Sequence, residues 1–135
     1  MILPPVSVAD RQATRSVIQS AIQSPNRDVR WRIVGGTIVE RSTDGGIAWQ
    51  TQSTGGYRLV AGAAPSPTVC WLVGYGGVIL LSTDGQTWHR LEFPEAIELT
   101  AILATDASSA TVTSADGRTF STADGGKTWT IVSSR

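Results

Sequence analysis

A pattern that recurs every 40 residues constrains the fold of this 135-residue chain more than any other feature. Three copies align without a gap from the position held by Trp31, Trp71 and Thr111 to a Ser/Thr-x-Asp-Gly string near their ends. Each copy alternates short apolar or β-branched runs with clusters of Gly, Pro, Ser and Asp, which indicates strands separated by turns. Four strands in about 40 residues are typical of a propeller blade. The sequence therefore predicts an all-β, β-propeller-type fold of three four-stranded repeats.

The repeats divide the chain into an N-terminal extension, residues 1–28, and a propeller domain, residues 29–135. The first repeat shows no evident opening strand, whereas the second and third show all four. The three repeat units are placed at about 29–56, 57–96 and 97–135.

One short helix is predicted in the extension, over residues 10–24. Asp10 can cap its N-terminus, and Pro25 ends it. Five apolar residues between them recur at the spacing that places side chains on one helix face. These residues are Ala13, Val17, Ile18, Ala21 and Ile22.

Each repeat carries a turn motif between its third and fourth strands. Residues 122–129 follow the aspartate-box pattern of Ser or Thr, any residue, Asp, any residue, Gly, any residue, Thr and Trp. Residues 42–49 match it with Ala48 at the Thr position, and residues 82–88 form a shortened copy. In such a turn the carboxylate accepts hydrogen bonds from backbone amides, the glycines take positive φ, and the tryptophan anchors the hairpin. We therefore expect a structural role for Ser42, Asp44, Gly46, Trp49, Ser82, Asp84, Gly85, Trp88, Thr122, Asp124, Gly126 and Trp129.

The wider repeat resembles that of the photosystem II assembly and stability factor family, an aspartate-box (BNR) repeat family. Residues 70–85, which read CWLVGYGGVILLSTDG, carry the resemblance most clearly, and it extends over about residues 29–132. Full members of that family are seven-bladed propellers, so the resemblance implies a three-blade fragment. It also implies an extracytoplasmic or periplasmic setting, because such repeats are used as appendages of larger proteins in non-photosynthetic bacteria.

Catalysis is not expected, although aspartate boxes also occur in sialidases. A sialidase needs three converging arginines, a tyrosine nucleophile with its glutamate, and an acid, drawn from about six blades. The tyrosines of this chain are Tyr57 and Tyr75, and Arg32 lacks the neighbours of a sialidase arginine. His89 has no second His or Cys nearby and is expected to be a surface strand residue. Each box offers a single carboxylate, so neither a metal site nor a cofactor is predicted.

The composition argues against nucleic acid and membranes as partners. The 11 basic and 11 acidic residues balance, so no electrostatic footprint favours nucleic acid or an anionic membrane. No apolar run is long enough to insert into a bilayer. The single cysteine, Cys70, excludes an intrachain disulfide and is expected to be a small buried hydrophobe.

One edge of the blades holds the residue types that are enriched at interface hot spots. If each blade runs out and back, the aspartate boxes lie on one rim, and residues 53–58, 74–77 and 92–98 lie on the opposite rim. We expect partner binding there, through Tyr57, Arg58, Tyr75 and Phe93.

The sequence thus predicts a non-catalytic protein-interaction or scaffold module whose protein partner it does not name. Carbohydrate binding by a sialidase-like glycan-recognition domain is the alternative. Three blades in an open arc are expected to leave apolar flat faces at both ends, and propellers close with four or more blades. A homodimer that closes a six-bladed ring follows as the simplest assembly.

Overall fold

The computed structural model describes residues 18–133, which form three four-stranded antiparallel sheets. A short 3₁₀ turn, Tyr75–Gly77, joins two strands of the second sheet. Blade 1 comprises β1 (Ile18–Gln23), β2 (Arg30–Val34), β3 (Ile38–Ser42) and β4 (Gln50–Gln52). Blade 2 comprises β5 (Leu59–Ala63), β6 (Cys70–Gly74), β7 (Ile79–Ser82) and β8 (His89–Leu91). Blade 3 comprises β9 (Leu99–Ala104), β10 (Ala110–Ser114), β11 (Thr119–Thr122) and β12 (Thr130–Ser133).

Each blade is an up-and-down meander whose strands lie in sequence order across the sheet. Neighbouring blades meet chiefly through their first strands, because β1 contacts β5 and β5 contacts β9. These three strands therefore line the axis side of an arc, as the innermost strands of propeller blades do. The predicted all-β, three-blade propeller architecture is confirmed.

The helix predicted over residues 10–24 is wrong for Ile18–Gln23, which form strand β1. This strand pairs with β2, and Ile22 lies opposite Trp31. Ile22 is buried while Ala21 and Gln23 are exposed, which is the period of two of a strand. The segment forms a strand rather than a helix because β1 supplies hydrogen-bond partners to the backbone N–H and C=O groups along the inner edge of β2. The first repeat therefore has an opening strand, and residues 10–17 lie outside the described residues.

Two apolar cores hold the arc together, one at each junction between blades. The core between blades 1 and 2 is built on Trp31, Ile33, Val39, Cys70, Leu72 and Leu80. The core between blades 2 and 3 is built on Trp71, Val73, Ile79, Leu99, Val112 and Phe120. Blade 2 contributes opposite faces of β6 and β7 to the two cores, so every residue of these two strands is buried. Cys70 lies in the first core, fully buried and free, as the sequence predicts.

The inner strands approach their neighbours closely at two glycines. A Cβ atom at Gly62 of β5 would lie 2.6 Å from Ile22 Cδ1 and 2.6 Å from Leu72 Cδ2. A Cβ atom at Gly74 would clash with the backbone oxygen of Arg58. These positions need glycine because a side chain would push β5 away from blade 1 or from β6.

The central cross-strand pairs on the flat faces at the two ends of the arc are polar, so the prediction of apolar end faces is wrong at these positions. On blade 1, Arg32 and Glu40 lie opposite each other and form an ion pair of 2.6 Å. Ile38 of blade 1, 46% exposed, lies two residues from Glu40 on the same face. On blade 3, the outward residues of β10 and β11 all carry hydroxyl groups, and none is fully buried. They are Thr111, Thr113, Thr119 and Ser121. Leu103, 77% exposed, is the one large apolar side chain beside them on the described part of β9.

Candidate partner-binding surface

The aspartate-box turns of blades 1 and 3 share one hydrogen-bond pattern. In blade 1, Asp44 Oδ1 accepts the Ile47 amide at 3.1 Å, the Ala48 amide at 2.9 Å and the Ser42 hydroxyl at 2.8 Å. The Gly46 amide donates to Ser42 Oγ at 2.8 Å. Each carboxylate is thus occupied by its own turn, and the glycines that follow it have positive φ.

The third box repeats this geometry with one additional bond. Thr122 and Asp124 accept the equivalent amides, and the Thr128 hydroxyl donates to Asp124 Oδ2 at 2.6 Å. In the shortened second box, Asp84 accepts the amides of Gln86 and Thr87 at 2.8 and 2.7 Å. The deletion therefore removes a residue from the turn without removing its carboxylate acceptor.

A polar contact that the sequence did not suggest joins blades 1 and 2. Gln52 Oε1 accepts the indole N–H of Trp88 at 2.9 Å and that of Trp31 at 3.3 Å. Gln52 Nε2 donates to the backbone oxygen of Gly85 at 2.7 Å. Leu91 occupies the equivalent register position in blade 2, opposite Ile79, and the indole N–H of Trp129 is buried without a partner. One glutamine thus ties the box hairpin of blade 2 to blade 1.

The chain turns gather into two rims, as the sequence predicts. On the box rim, the Gly45 amide donates to Asp28 O and the Gly125 amide to Ser108 O, so the boxes of blades 1 and 3 each lie beside the turn between their blade's first two strands. On the far rim, the Leu59 amide donates to Gly36 O and the Ala115 amide to Glu98 O. The far rim comprises residues 35–37, 53–58, 74–78, 92–98 and 115–118.

Arg58 and Tyr75 form the most exposed aromatic feature of the far rim. The Arg58 guanidinium lies 4.5 Å from the centre of the Tyr75 ring, which is 43% exposed. The Tyr75 amide also donates to Arg58 O at 3.0 Å. The pair borders a hollow of about 180 Å³ whose wall includes Gly36 and Glu98. Arginine stacked on tyrosine keeps its N–H groups available to a ligand.

Tyr57 and Phe93, the other two predicted binding residues, contribute to the blade junctions. Phe93 is half-buried, and its ring centre lies 4.9 Å from that of Phe120 and 5.5 Å from that of Trp129. Tyr57 packs against the first core under Arg90. The structure therefore brings Arg58 and Tyr75 together and places Phe93 beside other hollows of the rim.

An ion-pair network stiffens the part of the far rim next to blade 3. Arg118 contacts Glu95 at 2.5 Å and Asp116 at 2.9 Å. The hydrogen bonds that Arg118 donates to Glu95 contribute most to lowering the pKa of Glu95 and to raising the pKa of Arg118. Residues 92–98 are therefore fastened to the β10–β11 hairpin.

The axis side of the arc forms an open trough of about 490 Å³. Its wall comes from the ends of the inner strands near the box rim and from β10 and β11, including Thr111 and Ser121 on the outward face of blade 3. Gln23, Gly62, Ala63, Ala64, Leu103 and Thr105 are among the lining residues. No carboxylate is among the described residues that line it.

Comparison with known proteins adds a family to this geometry. Residues 12–134 match the family model for the photosynthesis system II assembly factor YCF48, a PSII BNR family. The chain belongs to the YCF48 family. A search of curated protein sequences finds no match.

Solved structures of YCF48 share the fold. A structure described as YCF48 bound to D1 peptide matches with a TM-score of 0.76 and 23% identity, over 88% of this chain and 41% of that one. YCF48 from Cyanidioschyzon merolae matches with a TM-score of 0.73 and 22% identity, over 85% and 39%. A GH74 enzyme from Niastella koreensis matches with a TM-score of 0.66 and 15% identity, over 92% and 24%. This chain spans about two fifths of the length of the YCF48 structures.

Two findings concern other classes of site in this YCF48-family chain. Within residues 18–133, no group of three or more His, Cys, Asp or Glu side chains is arranged to hold a metal ion. Over the same residues, no helix has the length and apolarity to cross a membrane. His89 is an exposed residue of β8, as the sequence predicts.

The box carboxylates give this YCF48-family chain a predicted acid sensitivity. Hydrogen bonds lower the pKa of each from its ordinary 3.8, chiefly from the Ala48 amide to Asp44, the Thr87 amide to Asp84 and the Thr128 side chain to Asp124. A carboxylate whose pKa is lower in the folded state stabilises the fold above the unfolded-state pKa and loses that effect as pH falls. We expect the free energy of unfolding to fall progressively below about pH 4.

The same bonds predict the effect of removing one carboxylate. Asp124→Ala should lower the melting temperature by several degrees, because it leaves the amides of Lys127 and Thr128 without their acceptor. The variant should also lose part of the acid sensitivity that is expected below about pH 4. Thermal unfolding followed by circular dichroism measures both effects. A melting temperature that rises with added calcium, and does so only while Asp124 is present, would show that the box binds metal.

Proposed function

We propose that the chain is a non-catalytic protein-interaction module that binds a peptide segment of a partner protein at the Arg58–Tyr75 pair of the far rim. Membership of the YCF48 family carries the proposal, because one YCF48 structure holds a D1 peptide. The exposed Arg58–Tyr75 pair supports its location, since arginine and tyrosine are enriched at binding hot spots.

The chemistry of the pair suits a peptide. The Tyr75 ring holds the Arg58 guanidinium, so less conformational entropy is lost when its N–H groups bind carbonyl or carboxylate oxygens. The hollow of about 180 Å³ beside it has room for a single side chain. Glu98 borders the same hollow and can accept a hydrogen bond from a peptide amide.

Enzyme activity is the weaker proposal, although a GH74 enzyme shares the fold. A glycosidase of the usual kind places two carboxylates on either side of the scissile bond. The described lining of the axis trough offers apolar, amide and hydroxyl side chains and no carboxylate. Carbohydrate binding without catalysis stays the alternative, and the same trough is where a glycan would lie.

Selection of random dodecapeptides displayed on phage tests the proposal. We expect enriched peptides whose synthetic versions bind the purified chain, with the affinity falling at least about tenfold in Arg58→Ala and in Tyr75→Ala. Arg27→Ala is the matched control, because Arg27 is an exposed arginine on the box rim. Equal affinity of all three variants would remove the site from the far rim. Binding to a glycan array with no peptide enrichment would favour the alternative.

The homodimeric six-bladed ring predicted from the sequence is a question of assembly, separate from the binding function, and the polar pairs of the end faces do not support it. The ring rests on the expectation of apolar end faces, whereas the central cross-strand pairs of both end faces are polar. Light scattering measures it directly, since a ring of two chains has twice the mass of 14.3 kDa.

A further inference from the structure

The internal repeat allows each end face to be compared with its own equivalents inside the arc. One face of each blade points toward the preceding blade in the chain. On this face of blade 2, the central cross-strand pair is Leu72 with Leu80. The same pair is Val112 with Phe120 in blade 3. Both pairs lie in the junction cores. In blade 1, where this face points away from the arc, the pair is Arg32 with Glu40.

The opposite face shows the same change at the other end. Blade 1 packs on blade 2 through Trp31 and the pair Ile33–Val39. Blade 2 packs on blade 3 through Trp71 and the pair Val73–Ile79.

In blade 3 the equivalents are Thr111 and the pair Thr113–Thr119. The adjoining pair, Trp71 with Leu81 in blade 2, becomes Thr111 with Ser121, whose hydroxyls lie 2.9 Å apart. The outward face of blade 3 therefore carries hydroxyl side chains at the β10 and β11 positions where blade 2 carries large apolar side chains.

The box tryptophans give a third, independent comparison. Trp88 reaches back to Gln52 of blade 1, and the Trp129 ring lies 6.4 Å from the Trp71 ring of blade 2. Trp49 of blade 1 instead makes its hydrogen bond and its cation–π contact within its own blade. Its indole N–H donates to Gly46 O at 3.0 Å, and the Arg32 guanidinium covers its ring at 3.9 Å.

We propose that both flat faces of the arc are solvent-facing caps, so that neither receives another blade from this chain or from a second copy. The apolar pattern is lost only on the outward side of each terminal blade, while the inward side of the same blade keeps it. Polar outer faces are what terminal repeats of stacked repeat proteins need in order to stay soluble. The trough then stays open along the axis as a lateral cleft.

The caps are also poor partners for each other. A ring would bury the Arg32–Glu40 ion pair against the threonine face, which offers hydroxyls but no countercharge. Removing an ion pair and several hydroxyl groups from water is unfavourable unless new bonds replace those to water. Leu103 and Ile38 are exposed apolar side chains on these faces, but polar pairs stand where the central apolar pairs fill the two junction cores.

Light scattering on the full chain tests the proposal first. At 100 µM we expect about 14.3 kDa, and a mass near twice that would overturn the proposal. A second variant restores the internal pattern on blade 3 with Thr111→Trp, Thr113→Val, Thr119→Ile and Ser121→Leu together. We expect this variant to associate, with at least a doubling of mass, because it exposes an apolar sheet face. A variant that stays monomeric would show that the hydroxyls do not keep the face free.

Thiol labelling gives a readout that does not depend on the fourfold variant folding. Thr113→Cys places one thiol on the outward face, and the fully buried Cys70 serves as the internal control. We expect a maleimide to label position 113 on the order of 100-fold faster than Cys70, which reacts only through local opening. Equal, slow labelling of both thiols in the native protein would mean that the face is covered. Neither experiment involves the peptide site at Arg58 and Tyr75, so the two proposals can fail separately.

Discussion

Trp71→Ala is expected to lower the free energy of unfolding by about 3–5 kcal/mol, the usual cost of truncating a large buried aromatic side chain. Trp71 is fully buried between blades 2 and 3, where its ring meets Trp129 edge-on and its indole N–H donates to Asp106 O at 3.0 Å. The substitution removes the centre of the second junction core. Urea unfolding followed by tryptophan fluorescence and circular dichroism gives the change.

The repeat supplies a matched control for this experiment. Thr111 occupies the same position in blade 3 but lies on the outward face, where its hydroxyl meets that of Ser121. We expect Thr111→Ala to change the free energy of unfolding by less than about 1 kcal/mol, since a partly exposed hydrogen bond contributes little net stability. Similar losses from the two substitutions would contradict the assignment of one face to the core and the other to solvent.

Gln52→Leu is expected to destabilise the fold by about 1–3 kcal/mol, although leucine is the residue at the equivalent position of blade 2. The substitution leaves the indole N–H groups of Trp31 and Trp88 and the carbonyl of Gly85 without partners. Buried polar groups that lose their partner cost more than the bond itself contributes. The free energy of unfolding is therefore expected to fall, although the greater hydrophobicity of leucine alone would favour the folded state.

Gln50→Leu is the control, because Gln50 lies two residues away on β4 and is exposed. It should change the free energy of unfolding by less than about 0.5 kcal/mol. If Gln52→Leu proves as stable as the unmodified chain, the contact between blades 1 and 2 rests on the apolar core alone. The same urea titration serves both variants.

The architecture could be predicted from the sequence because the repeat carries its own turn chemistry. The aspartate boxes located the third and fourth strands of each blade, and the 40-residue period located the first two strands of blades 2 and 3 and the second strand of blade 1. The predicted all-β class and the family resemblance are confirmed. The strand Ile18–Gln23 was not predicted because the spacing of its apolar residues fits a helix. Its conformation is decided by pairing with β2, which is a tertiary contact.

The candidate site was less accessible to sequence reasoning. Aromatic residues in loops pointed to the far rim as the binding surface, but Phe93 packs on Phe120. No sequence pattern distinguishes a loop aromatic that binds a partner from one that packs into a blade junction. Gln52 was missed because a lone glutamine in a three-residue strand carries no signal. The hydroxyl face of blade 3 was visible as a departure from the repeat, and its meaning depends on knowing which side of the sheet points outward.

The burial of every residue of β6 and β7 bears on how the chain loses its structure. Blade 2 shares its two faces with both neighbours, so its amides can exchange with solvent only after a junction core has parted. Blades 1 and 3 each pack on a neighbouring blade through one face only, so each can unfold locally without the other. Amide hydrogen exchange should therefore be slowest in β6 and β7 and should quicken toward β4 and β12. A protease should therefore cut first in the end blades, which can open singly, and reach the middle of the chain last.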